Sequence, residues 1–221
     1  MLPSTLFVQE QPMEAILLIA FFLLIAFPVH EFFHAYAANR LGDPTPRMFG
    51  RLTLNPVAHF HPVGGTMLVI SVLVAGIPLG FAATPINPGN LRGRYGEAIV
   101  AGAGPLSNLL LAAAAAIPLR FVLGTELQFE YPILLQTLGL IVYGNIILGL
   151  FNLVPIPPLD GGTILLSLVS RETAWQLRPI LSQYGLLILI AVFFFPVFGG
   201  ETLGGRVLYP LADAIFKVLV G

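Results

Sequence analysis

An α-helical polytopic membrane protein, with about four to five transmembrane helices, a re-entrant segment and a small membrane-boundary β-sheet, is the fold class the sequence predicts. Three observations carry this. Of 221 residues, 57% are hydrophobic and 10% charged, against about 25% charged in an ordinary soluble domain. Long apolar runs cover residues 13–29, 66–82, 97–119, 133–151 and 180–198, and about 20 residues suffice to cross the hydrocarbon core. No stretch between the runs is long enough to hold a water-soluble module.

A first helix is expected over residues 13–40, stopped by Leu41-Gly42-Asp43-Pro44, where Gly and Pro end a helical pattern. No Lys or Arg precedes its apolar run, so it reads as a retained helix and not as a cleavable leader. Polar and apolar residues alternate in Gly50-Arg51-Leu52-Thr53-Leu54, which suggests a short strand, and Phe81-Ala82-Ala83-Thr84-Pro85-Ile86 suggests another. Helices follow at 97–122, where Gly102, Gly104 and the alanine run from Ala112 to Ala116 permit close packing, and at 132–153. Pro155, Pro157 and Pro158 must break the second of these, and irregular backbone at membrane depth is tolerated only where it is buried or lines a wet cavity. A final hydrophobic helix is expected at 180–198 and a shorter amphipathic segment at 203–220. The whole reads as one domain, residues 1–221, with a catalytic core at about 13–170 and C-terminal helices at 180–221.

The formal net charge of −1 points to no nucleic-acid partner. There is no cysteine, which excludes disulfides and thiolate ligands. Any metal must be held by His, Asp or Glu.

His30-Glu31-Phe32-Phe33-His34 places two imidazoles at i and i+4 of a helix, on one face and at the separation a single zinc ion requires. Glu31, beside that pair, is placed to take a proton from a water acidified by the metal and to pass it to a leaving amine. That chemistry is peptide hydrolysis. Three ionisable groups at the end of an apolar run cost roughly 2.5–3.5 kcal/mol each when charged near mid-bilayer, a cost that demands a function.

Catalytic zinc takes a third protein ligand. Asp160, His59, His61, Glu97 and Asp43 are candidates. Asp160 is favoured, because it follows a long apolar helix, lies among prolines and precedes Gly161-Gly162, which permit close approach. It also suits a helix N-cap. His59 and His61 read as boundary polar residues more readily than as a second metal site. Tyr36 reads as interfacial, and Trp175 as an interfacial anchor in a cytoplasmic linker.

Topology constrains Asp160 further. If residues 66–82 crossed fully, the helix at 132–153 would deliver Asp160 to the side away from the histidines. If they dip in and return, the three groups meet. The returning path also collects Arg40, Arg47, Arg51, Arg92, Arg94, Arg171 and Arg178 on one side, leaving Arg120, Arg206 and Lys217 on the other. An outside N-terminus and a site displaced toward the cytoplasm follow as expectations.

The motifs His30-Glu31-Phe32-Phe33-His34, Gly104-Pro105-Leu106-Ser107-Asn108 and Asn152-Leu153-Val154-Pro155-Ile156-Pro157-Pro158-Leu159-Asp160-Gly161-Gly162, joined by Gly50-Arg51-Leu52-Thr53-Leu54-Asn55-Pro56, together resemble the site-2 protease family of intramembrane zinc metalloproteases. The resemblance runs from about residue 15 to 170. It implies that His30, His34 and Asp160 hold Zn2+, that Glu31 is the general base, and that Asn152 lies near the metal to bind substrate or its oxyanion. It implies a transmembrane protein substrate, cut within the lipid bilayer in regulated intramembrane proteolysis. It implies helix packing or active-site support for Asn108. His61 stands where similar proteins often have Asp. A multi-pass bacterial or archaeal inner-membrane protein is the expected setting. A zinc transporter and a catalytically silent membrane scaffold are the alternatives.

Overall fold

The computed structural model describes residues 12–75, 84–196 and 202–221. It is helical throughout its long elements. Helix α1 consists of Pro12–Phe21, a π-helical turn Phe22–Ala26 and Phe27–Arg40, run together without a break. The wide turn sits just before Pro28, where the Phe27 N–H reaches the Phe22 carbonyl. Pro28 has no N–H to donate, and its ring clashes with a regular helix at the carbonyl four residues earlier, Leu24; a π turn at that point absorbs the misfit.

The other long helices are α2 (Pro62–Ala75), α3 (Gly96–Val122), α4 (Pro132–Asn152), α5 (Asp160–Leu168), α6 (Arg171–Phe194) and α7 (Leu203–Val220). Among the described residues, four segments are long and apolar enough to cross a membrane: Ala15–Arg40, Gly96–Val122, Pro132–Asn152 and Arg171–Phe193. Over an 18-residue apolar window, 72% of α4 is buried inside the protein, against 6% for the corresponding window of Arg171–Phe193, so α4 is the central post and α6 a peripheral element.

Among the described residues, two apolar clusters hold the bundle. One joins α1, α2 and α4 through Leu18, Phe22, Leu68, Val72, Leu140 and Leu148. The other joins α3, α4 and α7 through Ala112, Ala116, Val142, Ile146, Ala212 and Phe216. The alanines let α3 approach α4 closely, as small residues do between membrane helices.

The expected sheet does not form among the described residues. Residues 50–54 make a turn and bends: the Arg51 guanidinium folds onto the Ala58 carbonyl, the Thr53 carbonyl accepts from His59 Nε2 at 2.7 Å, and Asn55 caps the short helical turn Pro56–His59. Backbone groups that a strand would pair are thus taken up locally. Residues 81–83 of the second expected strand lie outside the described residues, and residues 84–86 belong to no strand among the described residues. An isolated bridge between Pro196 and Thr202 is the extent of β pairing among the described residues. The expected re-entrant segment at 66–82 is described only as far as residue 75, as part of α2, and its remainder lies outside the described residues.

The last apolar helix also starts earlier than expected. Ser170 caps it, its hydroxyl accepting the Thr173 N–H, so Arg171, Trp175 and Arg178 lie on α6 itself and not in a linker.

Asp43 ties the end of α1 to the segment that follows residue 83. Burial alone would raise its pKa. Donation from the Thr45 hydroxyl and N–H, the Asn87 N–H and the Asn90 amide outweighs burial and holds the carboxyl below the ordinary carboxylate value. The Arg92 N–H adds a bond to the Leu41 carbonyl at 2.8 Å. This clasp places residues 84–91 over the second half of α1.

Candidate metal centre and active site

His30 and His34 project from α1 toward α3, their ring centroids 4.6 Å apart. Both are buried, as is Glu31. Three positions of α3 spaced by four residues receive them. The Val100 carbonyl accepts from His34 Nδ1 at 2.7 Å, Asn108 Oδ1 accepts from His30 Nδ1 at 2.6 Å, and Gly104 lies between. A carbonyl and an amide oxygen are acceptors only, so each Nδ1 carries the proton and each neutral ring keeps a bare lone pair on Nε2.

Those lone pairs converge. The two Nε2 atoms are 3.0 Å apart, and Asp160 Oδ2 stands 3.2 Å from the first and 3.3 Å from the second. Asp160 Oδ2 is buried and accepts no hydrogen bond among the described residues. Three electron-rich atoms at such separations repel unless a cation lies among them. The spacing is close to about 3.3 Å, the edge of a tetrahedron with ligand bonds of about 2.05 Å, as zinc takes with nitrogen and oxygen donors. A Cβ on Gly104 would press on both Nε2 atoms, so this glycine keeps the cradle open. The donor set fits zinc.

Ligand-capable atoms of Glu31 also fall within 4.8 Å of those of both histidines. What separates the two carboxylates is their hydrogen bonding. Glu31 Oε2 accepts the Thr84 hydroxyl at 2.6 Å, whereas Asp160 Oδ2 has no such donor and faces the imidazoles. Asp160 reaches this place because α5 begins there. Leu159, in extended conformation, precedes the helix and makes no side-chain cap, so Asp160 is its first residue and not an N-cap. Cβ atoms on Gly161 and Gly162 would collide with Leu153, Val154 and Pro157. Only glycine lets α5 start so close to the proline turn.

The site opens onto a cavity of about 740 Å³. Its walls carry Phe27, Val100, Phe151 and Leu159 beside the ionisable groups, and Asn152 lines it. One Asn152 amide N–H donates to the Leu148 carbonyl at 3.0 Å, and its second N–H has no acceptor among the described residues. Glu97 and Arg178, 3.6 Å apart, also line the cavity and link α3 to α6.

Of the sequence candidates, His30, Glu31, His34, Asp160 and Asn152 come together here. Asp43, His59 and His61 do not. Asp43 is the clasp already described, His59 donates to Thr53, and His61 Nδ1 accepts from the Gly64 N–H at 3.3 Å. Sequence reasoning missed Thr84 and the Val100 carbonyl. Thr84 has no signal of its own, while the 100-104-108 spacing on α3 was readable as one helix face but not as a face turned to the histidines.

Replacing Thr84 by valine keeps its shape and removes the donor to Glu31. Hydrogen bonds to charged groups contribute about 1.5–3 kcal/mol, so any peptide-cleaving rate that uses Glu31 should fall about 10- to 100-fold with zinc content unchanged. Thr84→Ser should restore most of it. Equal rates for Thr84→Val and the parent protein would remove Thr84 from the site.

Comparison with known proteins shows the family. The model of the family described as "Peptidase family M50" matches residues 129–192, from the start of α4 through α6. YwhC of Bacillus subtilis is 36% identical over 197 residues, covering 87% of this chain and 84% of its own. Rip2 of Mycobacterium tuberculosis is 32% identical over 195 residues, covering 86% and 71%. Both carry the name "Putative zinc metalloprotease". A Methanocaldococcus jannaschii protein named "Zinc metalloprotease MJ0392" is 28% identical over 196 residues, covering 81% of this chain and 47% of its own. No solved structure gives a significant match. With a zinc-type donor set inside a bundle of membrane-length helices, and relatives of this identity along most of its length, the chain belongs to peptidase family M50, the site-2 protease family of zinc metalloproteases.

Proposed function

We propose that the protein is an intramembrane endopeptidase, a single membrane-embedded domain that hydrolyses peptide bonds within or near transmembrane segments of other membrane proteins. The observation that carries this is the meeting of two bare imidazole nitrogens and a donorless, buried oxygen of the part-buried Asp160 carboxylate, with the buried Glu31 carboxylate alongside, on a largely apolar cavity. His30, His34 and Asp160 would hold zinc. Bound there, zinc supplies Lewis-acid polarisation of a carbonyl and acidification of a water.

The remaining work falls to the chain's own groups. Glu31 takes the proton from the attacking water and returns it to the leaving amine. Thr84 holds the Glu31 carboxylate in position and away from the metal ligands. Asn152, with an amide N–H to spare, binds the substrate carbonyl. Phe27, Phe151 and Leu159 limit water, which strengthens each polar contact. A helical substrate must unwind before its carbonyls become available, since each is already bonded within the helix.

The returning path for residues 66–82 belongs to the same reading. It is supported by α2 packing on the Leu18 and Phe22 level of α1 while Thr84 is back beside Glu31. Substrate release as a signalling step, and a bacterial or archaeal inner membrane, are proposed on the same basis.

The test is metal removal. Chelation of the purified protein should abolish cleavage of a transmembrane peptide in proteoliposomes, and stoichiometric zinc should restore it. Cleavage that persists after zinc is shown to be gone would overturn the proposal.

A further inference from the structure

Asn108 and Asn145 are both fully buried, in α3 and α4. Their amides form a chain that begins at a main-chain carbonyl and ends at a metal-site histidine. Asn145 Nδ2 donates to the Ile141 carbonyl at 2.9 Å. That carbonyl only accepts, so Asn145 must turn its NH2 to it and its Oδ1 the other way. Asn108 Nδ2 donates to this Oδ1 at 3.2 Å. With its NH2 so engaged, Asn108 turns Oδ1 to His30 Nδ1, at 2.6 Å. Each step leaves one orientation that satisfies both partners.

We propose that Asn145 is a positioning residue for His30, acting through Asn108 to keep the ring proton on Nδ1 and the Nε2 lone pair free for the metal. His34 obtains the same tautomer directly, from the Val100 carbonyl. His30 faces a side-chain amide, which by itself has two faces and could offer NH2 to the ring. Were Asn108 to flip, His30 Nδ1 would become the acceptor and the ring proton would move to Nε2, between Nε2 of His34 and Asp160. Asn145 removes that alternative. A partner that sets a metal-binding histidine's tautomer typically matters 10- to 100-fold in metal affinity.

The inference rests on the zinc reading, and the experiment separates the two. Zinc affinity of the purified full chain is measured by competition with a chromogenic chelator, together with thermal stability. Asn145→Leu should weaken zinc binding about 10- to 100-fold. Asn108→Leu combined with Asn145→Leu should bind zinc no more weakly than Asn108→Leu alone, since the second amide acts only through the first. In Asn145→Asp the buried carboxyl, kept neutral by burial, can donate to Ile141 and accept from Asn108, so its affinity should stay within about twofold of the parent. Gly149→Ala is the packing control. Its Cβ would lie 3.1 Å from the Pro105 carbonyl at the same α3 and α4 contact, and it should lower the melting temperature without moving zinc affinity.

Parent-like zinc affinity in Asn145→Leu would overturn the proposal. So would losses that add in full in the double variant, or a zinc loss in Gly149→Ala as large as in Asn145→Leu. If Asn145→Leu does not fold, zinc loss in a folded Asn145→Asp overturns it equally. Should the parent bind no zinc, or His30→Ala bind it as well as the parent, the zinc reading itself falls, a result visible before any asparagine variant is made.

Discussion

Glu31→Gln is expected to abolish peptide cleavage while leaving zinc bound. Gln has nearly the same shape and can still accept the Thr84 hydroxyl, whose bond to Glu31 Oε2 is 2.6 Å. It cannot take a proton from water. General-base catalysis contributes typically 10²- to 10⁴-fold, so the rate should fall by about that factor, to background in most assays. The proposed metal ligands are untouched, because the convergence of His30, His34 and Asp160 does not involve Glu31. A cleavage assay paired with metal analysis checks both halves. Retained cleavage would remove Glu31 from the chemistry, and zinc lost along with activity would make Glu31 a ligand in place of Asp160. The same variant separates hydrolysis from the two alternatives, since neither zinc transport nor a scaffold needs a general base beside the metal.

Gly104→Ala should be nearly as damaging, by the opposite route. The added methyl would lie 2.6 Å from His30 Nε2 and closer still to His34 Nε2, far inside van der Waals contact. Neither ring can retreat freely. His34 is tied to Val100 and His30 to Asn108, and both tethers belong to the helix that would carry the new methyl. Relief therefore breaks at least one tether or moves a lone pair off the common centre. Loss of a supporting partner alone typically lowers metal affinity 10- to 100-fold, and here the donors themselves shift, so zinc affinity should drop about 100-fold or more. The fold should not suffer in proportion, because Ala is favoured over Gly within a helix by about 1 kcal/mol. Zinc analysis alongside circular dichroism tests this: a helical protein without zinc is expected, and a fully zinc-loaded one would show that α3 does not frame the site.

How far such results could be foreseen from the sequence depended on whether each feature was local. His30 and His34 announce themselves because four residues along a helix bring two rings to one face. Asp160 was favoured among few ionisable residues because its neighbouring prolines and glycines mark irregular backbone. Thr84 is a lone hydroxyl near the end of an apolar stretch, and only the fold brings it beside Glu31. Val100 contributes a main-chain atom that no residue type could reveal. Residues 50–54 alternate as a strand does, yet alternation specifies a face and not a partner, and Arg51, Thr53 and Asn55 spend their polar groups locally. The start of α6 was read too late because Arg171, Glu172 and Arg178 resemble a linker by charge, although Ser170 is a sound cap.

The π turn at Phe22–Ala26 carries a consequence for how this chain tolerates change. One surplus residue in a helix advances everything beyond it by about 100°. Leu18, upstream, packs in the apolar cluster with Leu140, and His30, downstream, meets α3. Both fit at once only with that offset in phase. Apolar exchanges at the exposed Leu24 and Ile25 should be nearly silent, whereas deleting a single residue there would rotate the imidazoles away from α3. In this stretch a deletion should therefore cost far more than an apolar exchange.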